Sequence, residues 1–374
     1  MLRKSVQKLV VLAIAGVVSL GLGEVAVRLL MPQARLVIEP GGFYMPDPPG
    51  RYRLSPGYRG RITNRAEYDN EIRINQAGLR GPELAGGPDE VTRVLAIGDS
   101  FTFGVGVEES ESFVALLADR LSEAGTAAEA MNAGTPAFGV PDAETWFRLH
   151  GAGLAPDVVV LAIFVGNDLI DASPDREEIL VVDGLLVPSE SARGLKAWLF
   201  RHSQLYVAVK GLLETPAFRP LRSKLGLGEP WTLRVLREEL DVYRKGAEER
   251  LGPAIAATDR ALAGLVEQTR ASGIELVAML IPSEVQVDPE RWSAAVETLE
   301  LDPDEYDPGI PTRIFRNLLA RHEIAAVEPS AELARRIGAG ESLYFRRDRH
   351  WTTRGHEVAA GVLTDFVLAR LAGG

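Results

Sequence analysis

The chain has 374 residues, no cysteine, and 41 basic against 52 acidic side chains. Without cysteine it has no disulfide framework, thiolate zinc site, iron–sulfur cluster or cysteine nucleophile. With 46% apolar residues it is not a disordered acidic tail, and its length suffices for a substantial buried core.

At the start, Arg3, Lys4 and Lys8 precede an uncharged run from Leu9 to Gly23, after which Glu24 and Arg28 interrupt the apolar pattern. Fifteen helical residues span about 22 Å, short of the ~30 Å hydrocarbon core, whereas a run to Met31 spans it. Basic residues ahead of the run favour a cytoplasmic N-terminus and an exported body. We therefore expect residues 1–31 to form an uncleaved signal anchor, a single-pass transmembrane helix in the cell membrane with the body extracytoplasmic. A cleaved signal peptide and a buried core helix are the alternatives; no clear small-x-small cleavage site precedes Glu24. Beyond this segment the formal net charge is −14, so no nucleic-acid partner is expected.

Residues 32–90 read as a Pro- and Gly-rich tether and extension, with a strand-like alternation at 67–75 and a turn at Gln76-Ala77-Gly78. From residue 91 the pattern changes. Apolar runs ending at 91–100, 128–134, 156–168, 274–283 and 325–330 predict strands. Helical spacing over 111–124, 142–150, 253–271, 312–322 and 354–372 predicts the helices between them. This alternation specifies an α/β fold: a mostly parallel sheet with helices on both faces, over 91–374. An insertion at about 171–252 breaks it, with a hairpin expected at 179–187.

In an open parallel sheet, ligands bind at the carboxyl ends of the strands. There stand Gly98-Asp99-Ser100, with Gly104 beyond, then Asn132-Ala133-Gly134, then Gly166-Asn167-Asp168. Asp348-Arg349-His350-Trp351 stands just before the last helix. A serine hydroxyl becomes a nucleophile when an imidazole takes its proton, and a carboxylate fixes the tautomer of that imidazole. The N–H groups of Ser100 and Gly134 and the amide of Asn167 are suitable donors to a developing oxyanion. Asp99 reads as the residue that holds its turn, Asp168 as a loop brace and Trp351 as packing. His150, His202, His322 and His356 fall on predicted helices without a carboxylate constellation. No residues have metal-ligand spacing, so neither a metal nor a cofactor is expected.

These blocks resemble the SGNH (GDSL-like) hydrolase family: GDSFTFG at 98–104, Gly134, Asn167, and the late acid and base Asp348 and His350. The resemblance covers about 91–168 and 274–372. It implies a three-layer flavodoxin-like fold and acyl-ester chemistry. By it, Ser100 is the nucleophile, His350 the base, and Asp348 the orienting acid. Ser100 N–H, Gly134 N–H and the Asn167 amide form the oxyanion hole. Two features depart from the common pattern. Val165 stands where the third block has glycine, and the last block is Asp-x-His instead of Asp-x-x-His. Asp-x-His-Trp resembles the branch that O-acetylates exported polysaccharides such as alginate. INQAGLRGPE (74–83), with the N-terminal helix, is similar to membrane-anchored bacterial members. The expectation is a serine esterase acting on short O-acyl groups of a carbohydrate. The alternatives are a polysaccharide O-acetyltransferase with the same triad, or a non-catalytic envelope polysaccharide-binding protein. A phospholipase-like enzyme is a weaker reading.

Overall fold

Apolar runs form the central strands of one sheet in a computed structural model of the chain, which describes residues 2–30, 41–64, 66–85, 91–176, 178–189, 194–213, 218, 224 and 231–373. Two units separate by contact: Val37–Leu186 with Leu236–Gly374, and Met1–Leu36 with Val187–Val235.

The larger unit begins with two antiparallel ribbons, β1 (Tyr44–Pro46) with β2 (Tyr52–Leu54) and β3 (Arg59–Thr63) with β4 (Asp69–Arg73). The sequence reads much of this stretch as a tether, because Pro46, Pro48, Pro49 and Pro56 break it into pieces too short to show a period. The aromatic and aliphatic side chains decide otherwise: Phe43, Tyr44, Tyr52, Leu54, Ile62 and Ile72 are buried in the same cluster as the sheet's side chains. The expected tether and extension over 32–90 falls in part outside the described residues, at 32–40, 65 and 86–90.

The sheet itself is β5 (Thr92–Ile97), β6 (Ala128–Asn132), β7 (Val158–Phe164), β10 (Glu275–Ile281) and β11 (Ala325–Val327), all parallel. A hairpin of β8 (Ile179–Val182) and β9 (Leu185–Pro188) intervenes, turning at Asp183-Gly184 as the sequence suggests. The spatial order is β11-β10-β7-β5-β6. Counted along the chain, this is the doubly wound order 2-1-3-4-5. The α/β expectation is met by this five-stranded parallel sheet.

Alternation along the strands divides the core into two layers. Val158, Val160 and Ala162 of β7 face one way, packing with Val94 and Met279 against Phe113 and Leu117 of α3 (Phe113–Glu123) and against the last helix, Thr353–Gly373. Val159, Leu161 and Ile163 face the other way, toward Val140 and Ala143 of α4 (Val140–Trp146) and Leu262 and Leu265 of the helix Gly252–Ala271. Short turns leave the carboxyl ends of the two central strands: α2 (Ser100–Phe103) after β5 and α5 (Asp168–Asp171) after β7.

The smaller unit contains α1 (Leu2–Leu30), α6 (Leu195–His202) and α7 (Gln204–Leu213). Glu24 caps the start of α7, accepting from the N–H of Gln204 at 2.8 Å and of Leu205 at 2.9 Å. Arg28 donates to Glu24 and to the His202 carbonyl, both at 2.7 Å. The two charges that interrupt the apolar run thus dock a second helix. A transmembrane helix is expected over 1–31. Leu2–Leu30 is helical, yet among the described residues no helix is long and apolar enough to cross a membrane. Parts of the expected insertion, at 190–193 and most of 214–230, lie outside the described residues.

Candidate active site

Ser100 opens α2 at the carboxyl end of β5. The turn is fixed by Asp99, whose Oδ1 accepts from the Phe101 N–H at 2.9 Å. Gly104 ends it with φ +87°, a left-handed conformation that an L side chain adopts only under strain. The loop beyond is held by Arg80 from the N-terminal extension. Its buried guanidinium donates to the carbonyls of Phe103, Gly104 and Val107, each at 2.6 Å.

His350 reaches Ser100 from 250 residues away: its Nε2 lies 2.7 Å from Ser100 Oγ. The other ring nitrogen, Nδ1, lies 2.5 Å from Asp348 Oδ1. Carboxylate, imidazole and hydroxyl therefore form one hydrogen-bonded chain. Arg349 between them has φ +72°, and this left-handed residue turns the backbone so that side chains two positions apart converge. The ring of His350 packs on Phe101 at 4.8 Å, and Phe101 stacks on Phe164 at 4.3 Å.

Burial pushes the Asp348 carboxyl up, but the charge of His350 and hydrogen bonds from His350 and Tyr68 outweigh it, so the group lies below the ordinary carboxylate range. For His350 burial pushes down, while the charge and hydrogen bond of Asp348, with the charge of Asp99, raise it above ordinary imidazole. Asp99 is pushed up to about 6 by burial against the opposing charge of His350. Asp168 is raised well above ordinary, by burial and then by the charges of Asp99 and Asp171.

Asn167 follows β7 and lines the same cleft as Ser100 and His350. Among the described residues, neither the Ser100 N–H nor the Asn167 side-chain NH2 has a hydrogen-bond partner. Gly134 is different. Its N–H donates to Asn132 Oδ1 at 3.0 Å, and it does not line the cleft. A Cβ there would sit 2.0 Å from the Phe103 N, so the glycine serves close packing under α2. Asp168 braces its loop by accepting from the Phe164 N–H at 3.2 Å. Trp351 is fully buried among Phe101, Phe113 and Tyr344.

Some residues at the site escape a reading of the sequence. Tyr68 donates its hydroxyl hydrogen bond to Asp348 Oδ2 at 2.7 Å. Glu67 accepts from the N–H groups of Arg347 and Asp348, both at 3.0 Å. Glu239, Tyr243 and Glu284 form one wall of the cleft with Arg349. Arg349 Nη1 meets Glu239 at 2.5 Å and its Nε meets Glu284 at 2.9 Å. Only the adjacency of Arg349 to Asp348 and His350 marks any of these in the sequence. Two histidines placed apart from carboxylates do have them: His150 pairs with Asp47 at 2.8 Å and His322 with Asp259 at 2.9 Å. Both partners come from distant segments and both pairs lie outside the cleft. Among the described residues no cluster of three or more His, Asp or Glu is placed to hold a metal ion.

No curated protein matches the chain. Among solved structures, it is similar to esterase EstA from Pseudoalteromonas sp., at 12% identity and a TM-score of 0.40 over 75% of this chain and 99% of that one. The acetyl xylan esterase AlAXEase gives 13%, 0.40, 74% and 99%. A catalytic mutant of Axe2, an acetylxylan esterase from Geobacillus stearothermophilus, gives 14%, 0.37, 75% and 94%. Residues 241–373, which hold Asp348 and His350, match the family model of the SGNH hydrolase-like domain of acetyltransferase AlgX. Over those residues the chain is thus similar to an SGNH hydrolase-like domain of polysaccharide O-acetylation.

Proposed function

We propose that the chain is a serine esterase that cleaves a short O-acyl group from a carbohydrate through a covalent acyl-enzyme. The observation that carries this reading is the hydrogen-bonded chain Asp348–His350–Ser100 in an open cleft. His350 Nδ1–H donates to Asp348, which leaves the Nε2 lone pair to accept the Ser100 proton. Ser100 Oγ then bonds to the acyl carbon. The charge that develops on the carbonyl oxygen is met by the Ser100 N–H and the Asn167 amide. Gly134 N–H joins them only by releasing Asn132 Oδ1. The protonated His350 hands its proton to the departing sugar oxygen, leaving an ester on Ser100. Water, activated by the same imidazole, releases the acid.

The match to the acetyltransferase AlgX domain favours a second outcome, in which a sugar hydroxyl replaces that water and the acyl group is transferred. Both outcomes share every step up to the acyl-serine. We further propose that α1 attaches the chain to a membrane and that the body lies outside the cytoplasm. Exposed Val11, Leu12, Val17 and Leu20 on α1, behind a basic start, support this.

The test is intact-protein mass spectrometry after mixing with an activated acetyl ester. One acetyl group should appear on wild type and none on Ser100→Ala or His350→Ala. An adduct that persists in Ser100→Ala would overturn the mechanism. Adding a sugar acceptor then separates free acetate from acetylated sugar as the product.

A further inference from the structure

One turn of the N-terminal extension reaches the triad. It joins β3 to β4 and is built on Asn64, whose Oδ1 accepts from the N–H groups of Ala66, Glu67 and Tyr68 at 3.1, 2.7 and 3.2 Å. A side chain that orders its own turn in this way fixes where the next residues stand. Ile62 and Ile72 bury the flanking strands in the core. Glu108, beyond α2, accepts from Asn70 Nδ2 at 3.2 Å and from the Glu71 N–H at 3.3 Å. The hairpin is thus tied to the segment that follows the nucleophile.

Asp348 stands in a loop that gives it little local support. The Arg349 N–H donates to the Phe345 carbonyl at 3.1 Å, and the Phe345 N–H to the His350 carbonyl at 2.8 Å. Between these, the N–H groups of Arg347 and Asp348 have no backbone partner among the described residues. Glu67 meets both, with one carboxylate oxygen for each. Tyr68 takes Oδ2 of Asp348, and its ring packs on Phe345 at 5.3 Å. Gly106 leaves room for this: a Cβ there would sit 2.5 Å from Phe345 and 3.1 Å from Tyr68. Asp348 is therefore held from one turn by its backbone nitrogen and by its far oxygen. Its Oδ1 faces His350.

We propose that Glu67 is a positioning residue for acyl transfer: from the β3–β4 turn it fixes the backbone of Asp348 and so keeps that carboxylate aimed at His350. This rests on the acyl-ester reading above and adds a residue to the same site. Glu67 does not line the cleft, so its effect on rate passes through Asp348. Positioning differs from a bare charge effect in one respect. The charge of Glu67 acts on His350 whether or not Asp348 is present, whereas positioning disappears with Asp348.

Glu67→Ala and Glu67→Gln in the full-length chain, each alone and in the Asp348→Ala background, test this with two readouts. The first is the titration of His350 followed by NMR of histidine-labelled protein, its signal assigned by loss in His350→Ala. Asp348 and Asp99 raise this group and Arg349 opposes them, so a displaced Asp348 lowers it. Glu67→Ala should lower it by about half a unit or more. The second readout is kcat and KM with an activated acetyl ester. Glu67→Ala should lose about tenfold to a hundredfold in kcat with KM held within about threefold. Glu67→Gln, which keeps the length and one acceptor, should lose less. In the Asp348→Ala background neither readout should move. Circular dichroism verifies the fold, and Glu67→Gln carries both readouts should Glu67→Ala not fold. Folded variants that match wild type, or effects that persist without Asp348, overturn the positioning role. The acetyl adduct on wild type reads the chemistry separately. Adduct with an inert Glu67 sinks only the positioning role. A coupled shift of His350 without adduct sinks the esterase reading and leaves Glu67 as the residue that places Asp348.

Discussion

Replacing Asp348 by Asn is the most direct probe of the hydrogen-bonded chain. The substitution keeps the shape and removes one charge from a side chain that is 7% exposed. When His350 takes the Ser100 proton, an imidazolium forms with its charge about 4 Å from the carboxylate. At an effective dielectric near 20 that pair is worth about 4 kcal/mol. Losing it slows acylation by about a thousandfold. The Asn amide can also turn its NH2 toward Nδ1, which puts the proton on Nε2 and blocks the base. Tyr68 makes that orientation accessible, because its hydroxyl, 2.7 Å from Asp348 Oδ2, can donate to the amide oxygen. The assay is stopped-flow release from an activated acetyl ester, across pH, for Asp348→Asn, Tyr68→Phe, and Asp348→Ala with and without Tyr68→Phe. Asp348→Asn should lose about 10³ in kcat with little change in KM. Its acidic limb should fall toward ordinary imidazole, since the Asp348 carboxylate is what raises His350. Tyr68→Phe alone should lose threefold to tenfold, about 1 kcal/mol of a charge-assisted hydrogen bond. In the Asp348→Ala background it should lose nothing. An Asp348→Asn rate within tenfold of wild type would refute the argument that this carboxylate stabilises the imidazolium.

Asn167→Ala should cost about 10²–10³ in kcat by removing an oxyanion donor, read with the same ester; a loss under threefold would remove Asn167 from that role. Asp99 bears on pH dependence. Its native value near 6 stands above its unfolded value of about 3.9, so its stabilising effect is full below pH 4 and lost as pH rises through 6. Asp99→Asn should then raise thermal stability at pH 8 by about 2 kcal/mol and not at pH 4, and it should lower the acidic limb of His350. Arg80→Met leaves three loop carbonyls without their donor and should destabilise the chain by about 3 kcal/mol in urea unfolding. An unchanged midpoint would show that the loop does not depend on Arg80.

The sheet is legible in the sequence because a strand buried on both faces needs a near-continuous apolar run, and VVVLAIF (158–164) and ELVAMLI (275–281) leave no other reading. The Ser, His and Asp of the site are legible because each sits at a strand end or just before a helix, with turn residues around it. Gly134 shows where such reasoning stops. A glycine at a strand end is equally suited to present an N–H and to admit a neighbouring backbone, and the approach to Phe103 appears only in the folded chain. Tyr68 and Glu67 stand 280 and 281 residues from Asp348, in a stretch that reads as tether and extension with a strand-like alternation. No local period encodes a contact of that length. Glu239 and Glu284 were hidden for the same reason: a single glutamate on a helix is the residue least able to announce a partner.

Arg349 joins two properties that mutagenesis usually separates. Its left-handed backbone brings His350 onto Ser100, and its side chain ties Glu239 and Glu284 together along one wall of the cleft. A glycine there would keep the hand and empty the wall. A valine would empty the wall and resist the hand. The lining of the cleft and the geometry of the histidine are thus linked through one position. A substitution at residue 349 would change the lining and the aim of His350 together, whereas one at Glu239 would change the lining and leave the histidine aimed.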